Sequence, residues 1–137
     1  MAPDSPWEGV IMDNILHGKS VFIVEDDVLS AMTITDIVEG LGCEVVGHAR
    51  TLEQGLALAA QSEFDIALLD IDLQGENSYA LAHWLALRHV PFLFTTGRAE
   101  GGPAWCRDRP RVLKPFSGTH LERMMVASLS QPVTSEV

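Results

Sequence analysis

Residues 64–70 read Phe-Asp-Ile-Ala-Leu-Leu-Asp, an apolar run that stops on a carboxylate. Residues 21–27, Val-Phe-Ile-Val-Glu-Asp-Asp, repeat that pattern with a longer acidic end. Two more runs follow: Phe92-Leu93-Phe94 leads into Thr95-Thr96-Gly97, and Val112-Leu113 leads into Lys114-Pro115-Phe116. Glu44-Val45-Val46-Gly47-His48 reads as a weaker fifth strand nearer an edge. Short, continuously apolar runs suit strands that are covered on both faces.

Helical spacing fills the gaps. Residues 28–41 place Leu29, Met32, Ile37 and Leu41 roughly on one face. Residues 51–61 do so with Leu52, Leu56 and Ala59, and residues 78–89 with Tyr79, Ala82, Leu85 and Ala86. Ser117 offers a cap to a last helix carrying Leu121, Met124 and Met125. Alternating strands and helices predict a parallel sheet wrapped by helices.

Two regions break the alternation. Residues 97–110 stand where a crossover helix belongs, yet they contain Gly97, Gly101, Gly102, Pro103 and Pro110. An interior Gly costs a helix about 1 kcal/mol and an interior Pro about 3 kcal/mol relative to Ala, so a loop with at most a short turn is expected. The second is the N-terminal arm. Ser5-Pro6-Trp7-Glu8 forms a capping box, Gly18 offers a stop, and Trp7, Val10, Ile11 and Ile15 share a face, so an amphipathic helix is predicted over about residues 6–17. The expected organisation is an extension over residues 1–19, one domain over 20–129 and a flexible tail over 130–137.

The chain has 137 residues, 47% of them hydrophobic, enough for one compact core. With 9 Lys and Arg against 19 Asp and Glu, its net charge of −10 argues against a nucleic-acid surface. Cys43 and Cys106 make neither a disulfide framework nor a C-x-x-C motif, and the acidic N-terminus lacks the pattern of a signal peptide. No apolar stretch approaches the ~18 residues of a membrane span. A cytoplasmic protein without membrane or nucleic-acid partners is the expectation. The five histidines lack metal-ligand spacing, and Trp84 and Trp105 read as packing residues.

In a parallel α/β sheet, the residues just past each strand's carboxyl end converge on one rim. That rim would gather Glu25 and Asp26, Asp70, Thr96 and Lys114. Carboxylates held within a few ångströms of each other repel unless a cation joins them, and a hard divalent ion with oxygen ligands fits, Mg²⁺ foremost. Asp70 would then be the nucleophile toward phosphorus, with Lys114 and Thr96 sharing the charge of the phosphoryl oxygens. Asp27 reads as a helix cap. Asp72 and Arg98 stand at the rim, where either could influence an attacking water.

This ordered set resembles the bacterial response-regulator receiver (CheY-like) domain. Val24-Glu25-Asp26 is similar to the family's V-D-D or V-E-D opening, Leu68 to Leu73 to its L-L-D-x-x-L segment, and Thr96-Gly97 and Lys114-Pro115-Phe116 to its T-A/G and K-P-F signatures. The resemblance spans about residues 20–129. It implies a flavodoxin-like, doubly wound, five-stranded parallel sheet of order 2-1-3-4-5, to which the reading of the residues adds an irregular or shortened fourth helix and the extra N-terminal helix. It also implies an aspartyl-phosphate on Asp70, Mg²⁺ on Glu25, Asp26, Asp70 and the Asp72 main-chain carbonyl (Ca²⁺ and Mn²⁺ being alternatives), and a cis Lys114–Pro115 peptide.

The partners so implied are a histidine kinase or phosphotransfer protein and a downstream protein, for a stand-alone receiver that is a monomer or homodimer and not an enzyme. Three departures stand out. The usual L-P-G is Leu73-Gln74-Gly75, which reads as a mild change. Arg111 replaces the switch aromatic three residues before the lysine. Phe94-Thr95-Thr96-Gly97 resembles the F-A-T-G-U-Y subfamily, which is associated with HWE-type kinases, but Arg98 and Ala99 stand in place of its closing Tyr.

Three rival readings are a pseudo-receiver binding module, a small Mg²⁺-dependent phosphohydrolase and a flavin-binding protein. The second draws on Asp70-Ile71-Asp72, a D-x-D pattern in the wrong chain order for such enzymes. The third lacks a phosphate loop after the first strand.

Overall fold

The computed structural model describes residues 15–98, 101–107 and 109–130. Five parallel strands form the sheet: β1 (Ser20–Val24), β2 (Glu44–Ala49), β3 (Ile66–Asp70), β6 (Phe92–Thr96) and β7 (Arg111–Leu113). They stand in the order β2-β1-β3-β6-β7, which is the predicted 2-1-3-4-5 among strands of this sheet. β4 (Asp72–Leu73) and β5 (Glu76–Asn77) pair antiparallel as a separate small hairpin.

Strand alternation divides the core into two layers. Phe22, Val24, Ala67, Leu69, Phe92 and Phe94 face one side, where α2 (Leu52–Gln61) and α3 (Tyr79–Leu87) cover them. Val21, Ile23, Ile66, Leu68, Leu93 and Val112 face the other, under α1 (Val28–Gly40) and α4 (Gly118–Ser130). The central strands are buried on both faces, whereas edge strand β2 alternates between exposed and covered positions.

The caps are local chemistry. Asp27 accepts the Leu29 N–H at 3.3 Å and starts α1, as predicted, and Ser117 Oγ accepts the His120 N–H at 3.1 Å to start α4.

Several expectations need correction. The stripe assigned to the first helix is half wrong: Ile37 and Leu41 pack against the core, but Leu29 is 73% and Met32 58% exposed, and the buried residues are Ala31, Ile34 and Val38. At about 100° per residue, position 29 falls nearly opposite position 31, so both cannot face the sheet. β3 begins at Ile66, two residues later than the apolar run suggests, because Asp65 is engaged in holding Ser20 and Phe64 stacks on Phe22 with ring centroids 5.0 Å apart.

Among the described residues of 97–110, the only helical element is the 3₁₀ turn Ala104–Cys106, in line with the Gly and Pro content. The predicted N-terminal helix falls mostly on residues outside those described. At its visible end the fully buried residue is Leu16, while Ile15, placed on the apolar face, is half-buried. The tail over 131–137 also lies outside the described residues. No helix among the described residues is long and apolar enough to cross a membrane.

Candidate phosphoacceptor site

Parallel strands deliver their carboxyl ends to one rim, and the predicted residues meet there. β3 ends at Asp70, which pairs in register with Thr95, so Thr96 follows directly beyond it. The Lys114 N–H donates to the Thr96 carbonyl at 2.8 Å, which carries the lysine onto the same rim. Glu25, Asp26 and Asp70 offer carboxylate oxygens that all lie within 4.8 Å of one another.

Lys114 Nζ ties this group together, donating to Glu25 Oε1 at 2.5 Å and Asp70 Oδ2 at 3.1 Å. Glu25 is fully buried, and its other oxygen accepts the Asp27 N–H at 3.1 Å. Burial pushes the Glu25 carboxyl up from 4.5 to about 7; the Lys114 and Asp27 hydrogen bonds pull the other way, and Asp70 adds to the rise. For Lys114, burial works against the charge, but the hydrogen bonds to Glu25 and Asp70 outweigh it and the ammonium is held above its usual range.

The remaining predicted residues form the mouth. Thr96 is buried, and its hydroxyl accepts the Arg98 N–H at 3.1 Å. The Asp72 N–H donates to Asp70 Oδ1 at 3.2 Å, while its exposed carboxylate takes the Arg98 guanidinium at 3.0 Å. The Lys114–Pro115 peptide is cis, as the resemblance implied.

Three carboxylates, two of them bridged by a lysine, thus stand on the carboxyl rim of a 2-1-3-4-5 sheet. The response-regulator receiver-domain family matches residues 21–103, more than half of the 137-residue chain. The chain belongs to the response-regulator receiver family.

The receiver is 32% identical over 114 residues to the phyllosphere-induced regulator PhyR of Methylorubrum extorquens, covering 80% of this chain and 43% of that protein. It thus spans less than half the length of that relative. It is 35% identical over 88 residues to the polar-differentiation response regulator DivK of Brucella anthropi, covering 61% of this chain and 71% of DivK. Among solved structures, SdrG from Sphingomonas melonis Fr1 superposes with a TM-score of 0.74 at 35% identity, covering 83% of this chain and 98% of SdrG. The family match stops at residue 103, so the place of Lys114 in this receiver rests on its own geometry.

Sequence reading passed over several supports of the receiver's site. His48 Nε2 lies 3.0 Å from the Glu25 carbonyl oxygen, and an Arg50 guanidinium nitrogen donates to the Asp26 carbonyl at 3.4 Å. No spacing signal marks either residue, because parallel pairing of β1 with β2 is what brings them there.

Gln74 corrects the view that the altered L-P-G is a mild change. Gln74 has φ +46° and Gly75 φ +86°, a two-residue hairpin with both central residues left-handed. The Gln74 N–H donates to Asp26 Oδ2 at 3.2 Å. Proline could supply neither that φ nor that donor.

Proposed function

We propose that this receiver accepts a phosphoryl group on Asp70 from a phosphohistidine of a histidine kinase or phosphotransfer protein, HWE-type kinases included. The observation that carries the reading is Lys114 Nζ set between Glu25 and Asp70 beside the three-carboxylate cluster. An Asp70 carboxylate oxygen would bond to phosphorus as the phosphorus–nitrogen bond to the donor imidazole breaks, the electron pair leaving with the imidazole. Lys114 then keeps the phosphorylated side chain next to a fixed positive charge.

The donor set fits Mg²⁺: Glu25, Asp26 and Asp70 supply hard oxygens at close quarters, with the Asp72 main-chain carbonyl as the further ligand. When bound, the ion supplies positive charge to the phosphoryl oxygens; Ca²⁺ and Mn²⁺ share the same ligand preference. Thr96 supplies a hydroxyl at the rim.

The protein is a phosphoacceptor and not an enzyme, and it signals through protein contact or phosphoryl relay. The approach for a donor protein is the α1 flank, where Leu29 is exposed on an open groove of 460 Å³ shared with Thr33, Pro115 and Phe116, and Val28 and Met32 are exposed on a second groove of 380 Å³ beside His48 and Arg50. Exposed apolar side chains grouped at a reactive rim are the mark of a docking surface.

The test is incubation with acetyl phosphate and Mg²⁺ followed by intact mass measurement. One phosphoryl group per chain is expected, and none in Asp70→Asn, which keeps its fold. Retention of that group in Asp70→Asn would reject the assignment. Repeated turnover of a phosphate ester would favour the phosphohydrolase, and failure to take up beryllofluoride with Mg²⁺ would favour the pseudo-receiver.

A further inference from the structure

Arg111 occupies the β7 position opposite Phe94 of β6, where the described residues of the preceding crossover form only a short 3₁₀ turn. Its guanidinium carbon lies 5.8 Å from the Phe94 ring centroid. One terminal nitrogen donates to the Arg98 carbonyl at 3.4 Å and the other to the Gly101 carbonyl at 2.5 Å. A planar fork of donors can hold two main-chain carbonyls at once, which neither an aromatic ring nor a single ammonium does as well.

The chain it grips is shaped to be gripped. Gly101 and Gly102 have φ of +111° and +100°, and a Cβ on Gly102 would stand 2.7 Å from Tyr79 Oη. Tyr79 in turn meets Phe94 edge-on, with centroids 6.1 Å apart. Gly101 and Gly102 are therefore seated on a Tyr79–Phe94–Arg111 surface, and only glycine fits at the closest approach.

The grip reaches the acceptor site through Arg98. Arg111 holds the Arg98 carbonyl, the Arg98 N–H meets the Thr96 hydroxyl, and the Arg98 guanidinium pairs with Asp72. Asp72 is exposed at an entrance that already has Glu25, Asp26 and Asp70 behind it. A phosphoryl donor is an anion, and unbalanced negative charge at that entrance opposes its approach.

We propose that Arg111 is a positioning residue for phosphoryl acceptance. By fixing the peptide on the far side of Arg98, it keeps the Arg98 guanidinium on Asp72, so that the donor meets a balanced entrance. This inference rests on the phosphoacceptor reading of Asp70.

The experiment uses the whole chain, acetyl phosphate with Mg²⁺ as donor, and the initial rate of phosphoryl uptake. Arg98→Ala is expected to slow uptake roughly fivefold, the range of one exposed charge pair. Arg111→Ala should slow it by a similar factor, and the double variant should be no slower than either single one. Arg111→Lys should behave like Arg111→Ala, because it keeps the charge and loses the fork. If Arg111→Ala does not fold, Arg111→Lys carries the same comparison.

Amide exchange at Arg98, read without any donor, should quicken in both Arg111 variants. Multiplying effects in the double variant, full activity in Arg111→Lys, or an unchanged uptake rate in Arg111→Ala would each overturn the proposal. A wild-type chain that takes up no phosphoryl group would sink the parent reading as well, and the exchange measurement would still show whether Arg111 seats Arg98.

Discussion

The two flanks of the Asp70 cleft are built in opposite ways. On the α1 flank, Leu29 stands exposed over one open groove and Val28 and Met32 over another, and the helix below them is fixed by Ala31, Ile34 and Val38 instead. On the other flank the chain covers itself: Phe94 is fully buried, Tyr79 and Arg111 pack against it, and Arg111 ties down the segment above. Apolar side chains on the first flank contribute little to folding and are free to meet another protein, whereas those on the second are part of the core.

The sharpest contrast comes from large side chains on either flank. Phe94→Ala should cost roughly 3–5 kcal/mol of stability, visible in urea unfolding, because it empties a packed site. A loss below about 1 kcal/mol would mean that the closed flank is not sealed as described. Leu29→Asp should leave stability within about 0.5 kcal/mol of wild type. It should nevertheless slow transfer from a phosphohistidine donor protein by roughly tenfold or more while acetyl phosphate uptake stays unchanged. Equal loss with both donors would show that Leu29 serves the site itself and would erase the contrast.

The floor between the flanks gives smaller effects. Gln74→Pro forces a left-handed position toward φ near −65° and deletes the donor to Asp26, so a loss of about 1–3 kcal/mol is expected in the same unfolding assay. An unaltered midpoint would return that hairpin to the status of a mild variation.

The last prediction concerns pH. Glu25 has a carboxyl raised in the folded state from 4.5 to about 7, so folding favours its protonated form. That contribution is fully present below 4.5 and is lost as pH rises through about 7. The melting temperature of the metal-free protein should therefore fall over that window, and Glu25→Gln should flatten the slope. An identical slope in Glu25→Gln would place the dependence elsewhere.

Most of the frame was legible in the chain. Val21 to Val24, Ile66 to Leu69 and Phe92 to Phe94 are continuous apolar runs because both faces of a central strand are covered, and their polar ends mark the rim. The Gly and Pro content of 97–110 pointed to the short 3₁₀ turn that the described residues form there. Half of the stripe of α1 was misread because Leu29 and Met32 are as apolar as a core face, and composition does not distinguish a residue buried by the sheet from one left exposed. The parts played by Gln74 and Arg111 escaped for a related reason: each acts through a main-chain group, and no residue pattern encodes which peptide a donor will find.

The order of strands and helices in the main sheet, the three acidic positions and the lysine are all readable along the chain, because hydrophobic period and strand-end polarity are local properties. Tertiary structure alone decided which oxygens Lys114 bridges, which face of α1 stays open and what Arg111 holds. Those depend on distances between segments far apart in the chain, set only when the strands pair and the two cores close.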